Sequence, residues 1–293
     1  MTIIKKIEEL ISKSLFSVRW REVFILLAGI VGKADDLLKR MQRVAEKRLA
    51  GSVQVFQLMQ WANSRGTPVE DAVQAAVQRT FALSLALSLA RARDQVGVKA
   101  TERTRGIEHV LAPRDYVLDL AFAFSRERDF SRILNRARVL DRSRARAADN
   151  SLTDVLARAR FGLYVGALVG LFSELDSSQF LLGEWGEARI QLQATRDNLK
   201  RNASFEEIGA AWDKVLNIFA SSLQLPPSLY SLGDRHALDE YLYVLQLIVD
   251  CKNAATRINR STWDDICHRV LNLRENLLSE GAQTGRGRKS HRV

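Results

Sequence analysis

The chain has 293 residues, with 44 Lys+Arg against 34 Asp+Glu and a formal net charge of +10. Hydrophobic residues at 46% and charged residues at 27% fit a folded globular chain of one or two domains and exclude wholesale disorder. Four prolines fall well under the usual ~5%, which favours long helices because proline breaks helix interiors. Two cysteines cannot build a disulfide framework and no signal peptide opens the chain, so a cytoplasmic location is expected. The longest apolar run, 161–172, is 12 residues, short of the ~20 a membrane span requires, and predicts a buried core helix.

Apolar residues recur at helical spacing from the start: Ile3, Ile4, Ile7, Leu10 and Ile11 form one stripe. Helices are predicted over 18–31, 34–49, from Val53 to about Gly66, and over 69–94. Two or three more fall in 115–175, followed by 184–200, 205–222, 235–257 and 263–279. In the second helix, Trp20, Val23, Phe24 and Leu27 are expected to bury a face against Leu37, Leu38 and Met41. A capping box is expected at Ser204 and Glu207, and a helix start at Ser261 and Thr262. The pairs Asp35-Asp36, Glu70-Asp71, Glu206-Glu207, Asp239-Glu240 and Asp264-Asp265 read as helix-start signals, where a carboxylate meets the positive end of the helix dipole, rather than as catalytic dyads. With no strand pattern anywhere, the expected fold is all-α, an array or bundle of roughly ten helices with a disordered basic tail.

Motif chemistry narrows the function classes. No G-x-x-x-x-G-K-[ST] phosphate loop is present, so the chain is expected neither to bind nor to hydrolyse ATP or GTP. Gly162, Gly166 and Gly170 lie four apart, which predicts close packing of a neighbouring helix backbone. Cys251, Cys267, His236 and His268 lack metal-site spacing, and both cysteines read as buried thiols; no metal or cofactor is expected. Cys251 in particular is expected to be unreactive, with Asp250 lying further round its helix towards solvent. Arg103 and His109, with five residues between them, match loosely the motif of HEPN-type ribonucleases, but fall in a stretch without helical pattern.

The basic charge is densest over 126–160, with ten arginines against five acids. Arg128, Arg132 and Arg136, then Arg138, Arg142 and Arg146, lie four apart, with Phe130, Ile133, Leu134 and Ala137 opposite them. This stripe reads as a solvated face or as a surface for an anion or an acidic partner. The tail adds Arg286, Arg288, Lys289 and Arg292 and no acid.

Two segments carry a family resemblance. The run from Ser17 through Trp20-Arg21-Glu22-Val23-Phe24 to Gly29, followed by Ala34-Asp35-Asp36-Leu37-Leu38, resembles the helical segment after the winged helix of prokaryotic NACHT-type (STAND) NTPases. Leu247-Ile248-Val249-Asp250-Cys251-Lys252-Asn253-Ala254, followed by Asp264-Asp265-Ile266, resembles a motif of the C-terminal helical domain in the same family. Thr256 and Arg257 stand where family members usually carry a second cysteine and an aromatic. The Ala-Leu-rich stretch 81–91 is similar to the family's helical linker.

The resemblance implies a N-terminal helical region over 1–96, a linker over 97–113, a C-terminal helical domain over 114–280 and the tail over 281–293, without the NTPase domain. It further implies a non-enzymatic sensor or scaffold module of a signal-transduction system, of the kind used in bacterial antiviral defence. Such a module would work by contact with a protein partner, a separate NTPase subunit among the candidates. A basic helical nucleic-acid-binding protein, using the arginine stripe and the tail, is the alternative, and a HEPN-like ribonuclease a further one.

Overall fold

A computed structural model describes residues 3–49, 52–97, 116–125, 131–147, 154–225 and 232–272. These form twelve α-helices and no strand, so the all-α expectation holds. In chain order they are α1 (Ile3–Ser14), α2 (Arg21–Ile30), α3 (Asp35–Leu49), α4 (Val53–Ser64), α5 (Ala72–Gly97) and α6 (Tyr116–Phe124). They continue with α7 (Ser131–Ala147), α8 (Asp154–Ser178), α9 (Trp185–Asp197), α10 (Phe205–Leu223), α11 (Leu232–Ala254) and α12 (Arg260–Arg269). A 3-10 turn, Val18–Trp20, leads into α2. The tail and the Arg103–His109 segment lie outside the described residues.

Helix boundaries follow local chemistry. Ser204 Oγ accepts from the Glu207 amide while the Glu207 carboxylate accepts from the Ser204 amide, the reciprocal box that starts α10. Asp71 caps α5 by accepting from the Val73 and Gln74 amides. One acidic pair, Asp239-Glu240, departs from the helix-start reading. Because α11 begins at Leu232, Glu240 lies in its third turn and there binds Arg48. Asp264 and Asp265 do lie in the second turn of α12, where they pair with Arg260 and Lys39. At α12 the N-cap is Asn259 rather than Ser261 or Thr262, and the helix stops at Arg269, well before Ser279. Leu271 there takes a left-handed φ of 56°, which a continuing helix forbids.

Contacts divide the chain into two units. The first comprises Met1–Ser64, Pro68–Thr80 and Pro226–Val293. It is organised on α11, whose Leu238, Tyr241, Leu242, Leu245, Ile248 and Val249 are buried. Both α2 and α3 pack on this helix, and α12 and α1 pack on α3. The predicted burial of α2 against α3 is corrected by that arrangement: only Phe24 and Ala28 of α2 are buried, facing α11, while Trp20 and Val23 remain exposed. The approach is close because Gly29 has no side chain: a Cβ there would sit 3.4 Å from the Ala254 carbonyl oxygen.

The second unit comprises Arg65–Thr67 and Phe81–Leu225. Its centre is α8, flanked by α7, α9 and α10. Phe161, Val165, Leu168, Leu171 and Phe172 of the long apolar run are buried, as a core helix requires. Phe172 meets Trp185 at 4.9 Å and Phe219 at 5.6 Å between ring centroids, and Trp212 lies edge-on to Phe161 at 5.1 Å. Among the described residues, no helix is long and apolar enough to cross a membrane.

Candidate functional site

The singled-out arginines that belong to α7 do not share one face. Arg128 lies outside the described residues, and Arg142 and Arg146 belong to the C-terminal half of α7. Two residues along a helix turn the chain by ~200°, so Arg136 and Arg138 diverge. Arg138 donates to Asp119 of α6 at 3.4 Å. Arg136 is exposed and lies on α8, with its Cζ and Nε 3.0 Å from where a Cβ of Gly170 would be. Ile133, Leu134 and Ala137 form the buried side of α7.

What packs on Gly166 and Gly170 of α8 is therefore not a helix backbone but guanidinium groups. Arg136 of α7 covers Gly170, and Arg196 of α9 brings its Nη1 4.0 Å from the Cβ position of Gly166. One turn beyond Gly170, Arg189 of α9 donates to Ser173 Oγ at 3.4 Å. Nothing lies within 4 Å of a Cβ at Gly162. Three arginines from two helices thus lie along one small-residue face of α8. Arg189 and Arg196 carried no signal in the sequence, because seven-residue spacing on α9 shows its meaning only when α7 supplies the third group.

The potential metal ligands lie on α11 and α12. Cys251 and Cys267 are buried in α11 and α12 and are not disulfide-bonded. His236 is exposed and faces Glu240 at 3.5 Å, and His268 is exposed on α12. Among the described residues, no three Cys, His, Asp or Glu side chains converge on a point where a metal could sit. Burial, and secondarily the Asp250 carboxylate, push the Cys251 thiol up to about 12 against the opposing pull of Arg21. Arg21 is the cation that Cys251 has nearby, and it arrives from α2. Asp250 is half-buried rather than turned to solvent, because Arg21 Nη2 donates to it at 2.8 Å and Gln246 Nε2 at 3.3 Å.

The most deeply buried polar cluster surrounds the C-terminus of α12, where the last carbonyls of a helix lack intrahelical donors. Arg79 of α5 donates from Nε to the Val270 carbonyl at 2.7 Å, and from Nη2 to those of Cys267 at 2.8 Å and His268 at 3.3 Å. Gln42 of α3 donates to the Ile266 carbonyl at 3.0 Å, and Tyr241 Oη accepts from the Leu271 amide at 3.2 Å. Glu46, buried on α3, receives Arg269 through both carboxylate oxygens. Burial pushes the Arg79 guanidinium down to about 10, with Tyr241 and Cys267 acting in the opposite sense, so it remains charged at neutral pH. The same burial, reinforced by Glu46, raises the Tyr241 phenol. Every group here is engaged in holding helices together, which makes the cluster a structural lock rather than a reaction centre.

One apolar surface has no such engagement. Val18, Trp20, Val23, Leu26 and Ile30 all remain exposed, Leu26 at 63% and Ile30 at 81%. On α2, Val23, Leu26 and Ile30 share the side opposite Phe24 and Ala28, by the three- and four-residue spacing of a helix face. Together these features define an all-helical protein with a basic face on one unit and an apolar face on the other. Comparison with models of known protein families, with curated proteins and with solved structures finds no match to this chain.

Proposed function

We propose that this chain is a non-enzymatic helical sensor or scaffold module, related to the helical region of NACHT-type NTPases, that acts by protein contact through the outward face of α2. The observation that carries the reading is the exposure of Val18, Trp20, Val23, Leu26 and Ile30 in the very segment that resembles the family. Isolated exposed apolar residues are ordinary on a protein surface, whereas a contiguous helical row of them marks a contact site. The ion pair between Arg21 and Asp250 supports the relationship further, since it joins the two segments that carry the resemblance. The partner expected is a protein, with a separately encoded NTPase subunit the first candidate.

A photo-crosslinking residue placed at Leu26 should yield a discrete protein adduct in cells that express the chain, and one at Lys47, exposed on α3, should not. Leu26→Asp with Ile30→Asp should abolish binding of the captured protein without lowering the melting temperature. Equal adducts at both positions, or none at either, would refute the contact face. Stabilisation by ATP or GTP beyond that given by an equal concentration of inorganic phosphate would refute the non-enzymatic reading.

A further inference from the structure

The row of guanidinium groups on α8 has a spacing and a setting that the α2 face does not explain. Gly166, Gly170 and Ser173 stand ~6 and ~4.5 Å apart along the helix axis, and Arg196, Arg136 and Arg189 respectively lie over them. Three like charges are thereby held within about two turns of one helix. Among the described residues, the carboxylate that forms an ion pair with one of them is Asp197, 3.2 Å from Arg196 Nε. Glu174 and Asp176 stand at the C-terminal end of α8, while its N-terminal direction runs past the uncovered Gly162 and the exposed Leu163. Arg132, exposed one turn before Arg136 on α7, adds a fourth charge beside the row.

We propose that this face of α7, α8 and α9 binds the phosphodiester backbone of a nucleic-acid strand without reading its sequence. A guanidinium presents a planar fork of donors that matches a phosphate in two-point contact, and it is less strongly hydrated than an ammonium. Glycine and serine leave no side-chain bulk between the arginines, so successive anionic groups can meet successive forks. No aromatic side chain stands in the row of small residues, so bases find no stacking platform there and contact is confined to the backbone. A folded acidic protein would present scattered carboxylates, whereas a linear row of positive groups matches a linear row of negative ones.

The test is fluorescence anisotropy with the full chain and labelled single-stranded RNA, single-stranded DNA and duplex DNA of mixed sequence. Affinity should fall steeply as salt rises from about 50 to 200 mM and vary little with base composition. Arg136→Gln, Arg189→Gln and Arg196→Gln combined should weaken binding at least tenfold and flatten the salt slope by roughly 2, at about 0.7 for each lost contact to a single strand. The three corresponding Lys variants should bind between the wild type and the Gln variants, since an ammonium keeps the charge but loses the two-point contact. Neutralising Arg286, Arg288, Lys289 and Arg292 measures the tail's share, and the effect of the groove variants should persist in that background. Melting curves run alongside report folding, and Arg136→Glu alone, at an exposed position, repeats the test should the triple variant unfold. Wild-type chain that fails to bind at about 50 mM salt, or groove variants that bind as the wild type does, would overturn the proposal. So would groove-dependent binding to phosphatidylserine vesicles with none to oligonucleotides.

Discussion

Arg21 on α2 donates to Asp250 on α11 across 2.8 Å, joining positions 229 residues apart in the chain. At the other end of the same helix, Thr256 Oγ1 donates to the Gly29 carbonyl at 3.1 Å, so α2 is fastened to α11 and the loop after it at two points about 12 Å apart along its axis. Two fasteners on one side fix which face of α2 is left outside. The pair is only part-buried, with Arg21 40% and Asp250 20% exposed, so its worth is discounted for solvent screening. A double-mutant cycle with Arg21→Met and Asp250→Asn, read from urea unfolding, should give a coupling of about 0.5–1 kcal/mol. A coupling near zero would mean that apolar contact alone orients α2.

Phe24 and Leu26 sit two positions apart on one helix and should respond oppositely to truncation. Phe24→Ala removes a fully buried ring and should cost roughly 3–5 kcal/mol, whereas Leu26→Ala should cost less than ~0.5 kcal/mol. Equal costs would show that α2 has a second buried face in the isolated chain.

Arg79→Met keeps the bulk of the side chain and deletes its donors. The Val270 carbonyl then loses its donor, whereas the Cys267 carbonyl keeps the Val270 amide and the His268 carbonyl keeps Asn272 Nδ2, so the cost should be about 1–3 kcal/mol. Arg79→Lys should rescue little, because one ammonium cannot span the Val270 and Cys267 carbonyls as the fork does. Urea unfolding of both variants, with amide exchange of α12, measures the effect.

The Cys251 thiol makes stability fall on the alkaline side. Its folded value of about 12 stands above the ordinary thiol value of 9.0, so between the two the unfolded chain has released a proton that the native one keeps. The unfolded state then binds fewer protons, and stability declines with pH by at most about 1.4 kcal/mol per unit. The contribution is complete below pH 9 and is lost progressively as pH rises towards 12. Comparing Cys251→Ala with wild type in urea from pH about 8 to about 11 isolates this group from Tyr241 and Arg79, and the variant should show the flatter decline. Rapid reaction of native Cys251 with a thiol reagent at pH 8 would contradict the burial that causes the shift.

The elements were legible where a signal is local. Ser204 and Glu207 announce α10, and the apolar stripe of 34–49 gives α3 almost to the residue. Length failed at α12, because what ends that helix is a backbone twist at Leu271 beside a side chain brought from α5. Apolar periodicity also failed on α2: with Val23, Phe24, Ile25, Leu26 and Leu27 consecutive, nearly every face reads as core, and only the placement of α11 selects Phe24. The arginines show the same limit. Four-residue spacing on α7 suggested one stripe, whereas the row that forms draws on α9 and needs the bare surface of α8 between them.

Arg79 closes the end of α12 from almost two hundred positions upstream, and its unit draws on both ends of the sequence with Phe81–Leu225 made in between. During synthesis α3 is therefore complete long before α11 exists. At 5–20 residues per second, Leu37, Leu38 and Met41 wait on the order of ten seconds for the helix that will cover them. The other unit, continuous but for Arg65–Thr67, has its helices by then and can fold first. Nascent chains stalled before α11 should accordingly protect α8 from protease and leave α3 open to it, so that the earliest-made part of the protein is among the last to become native.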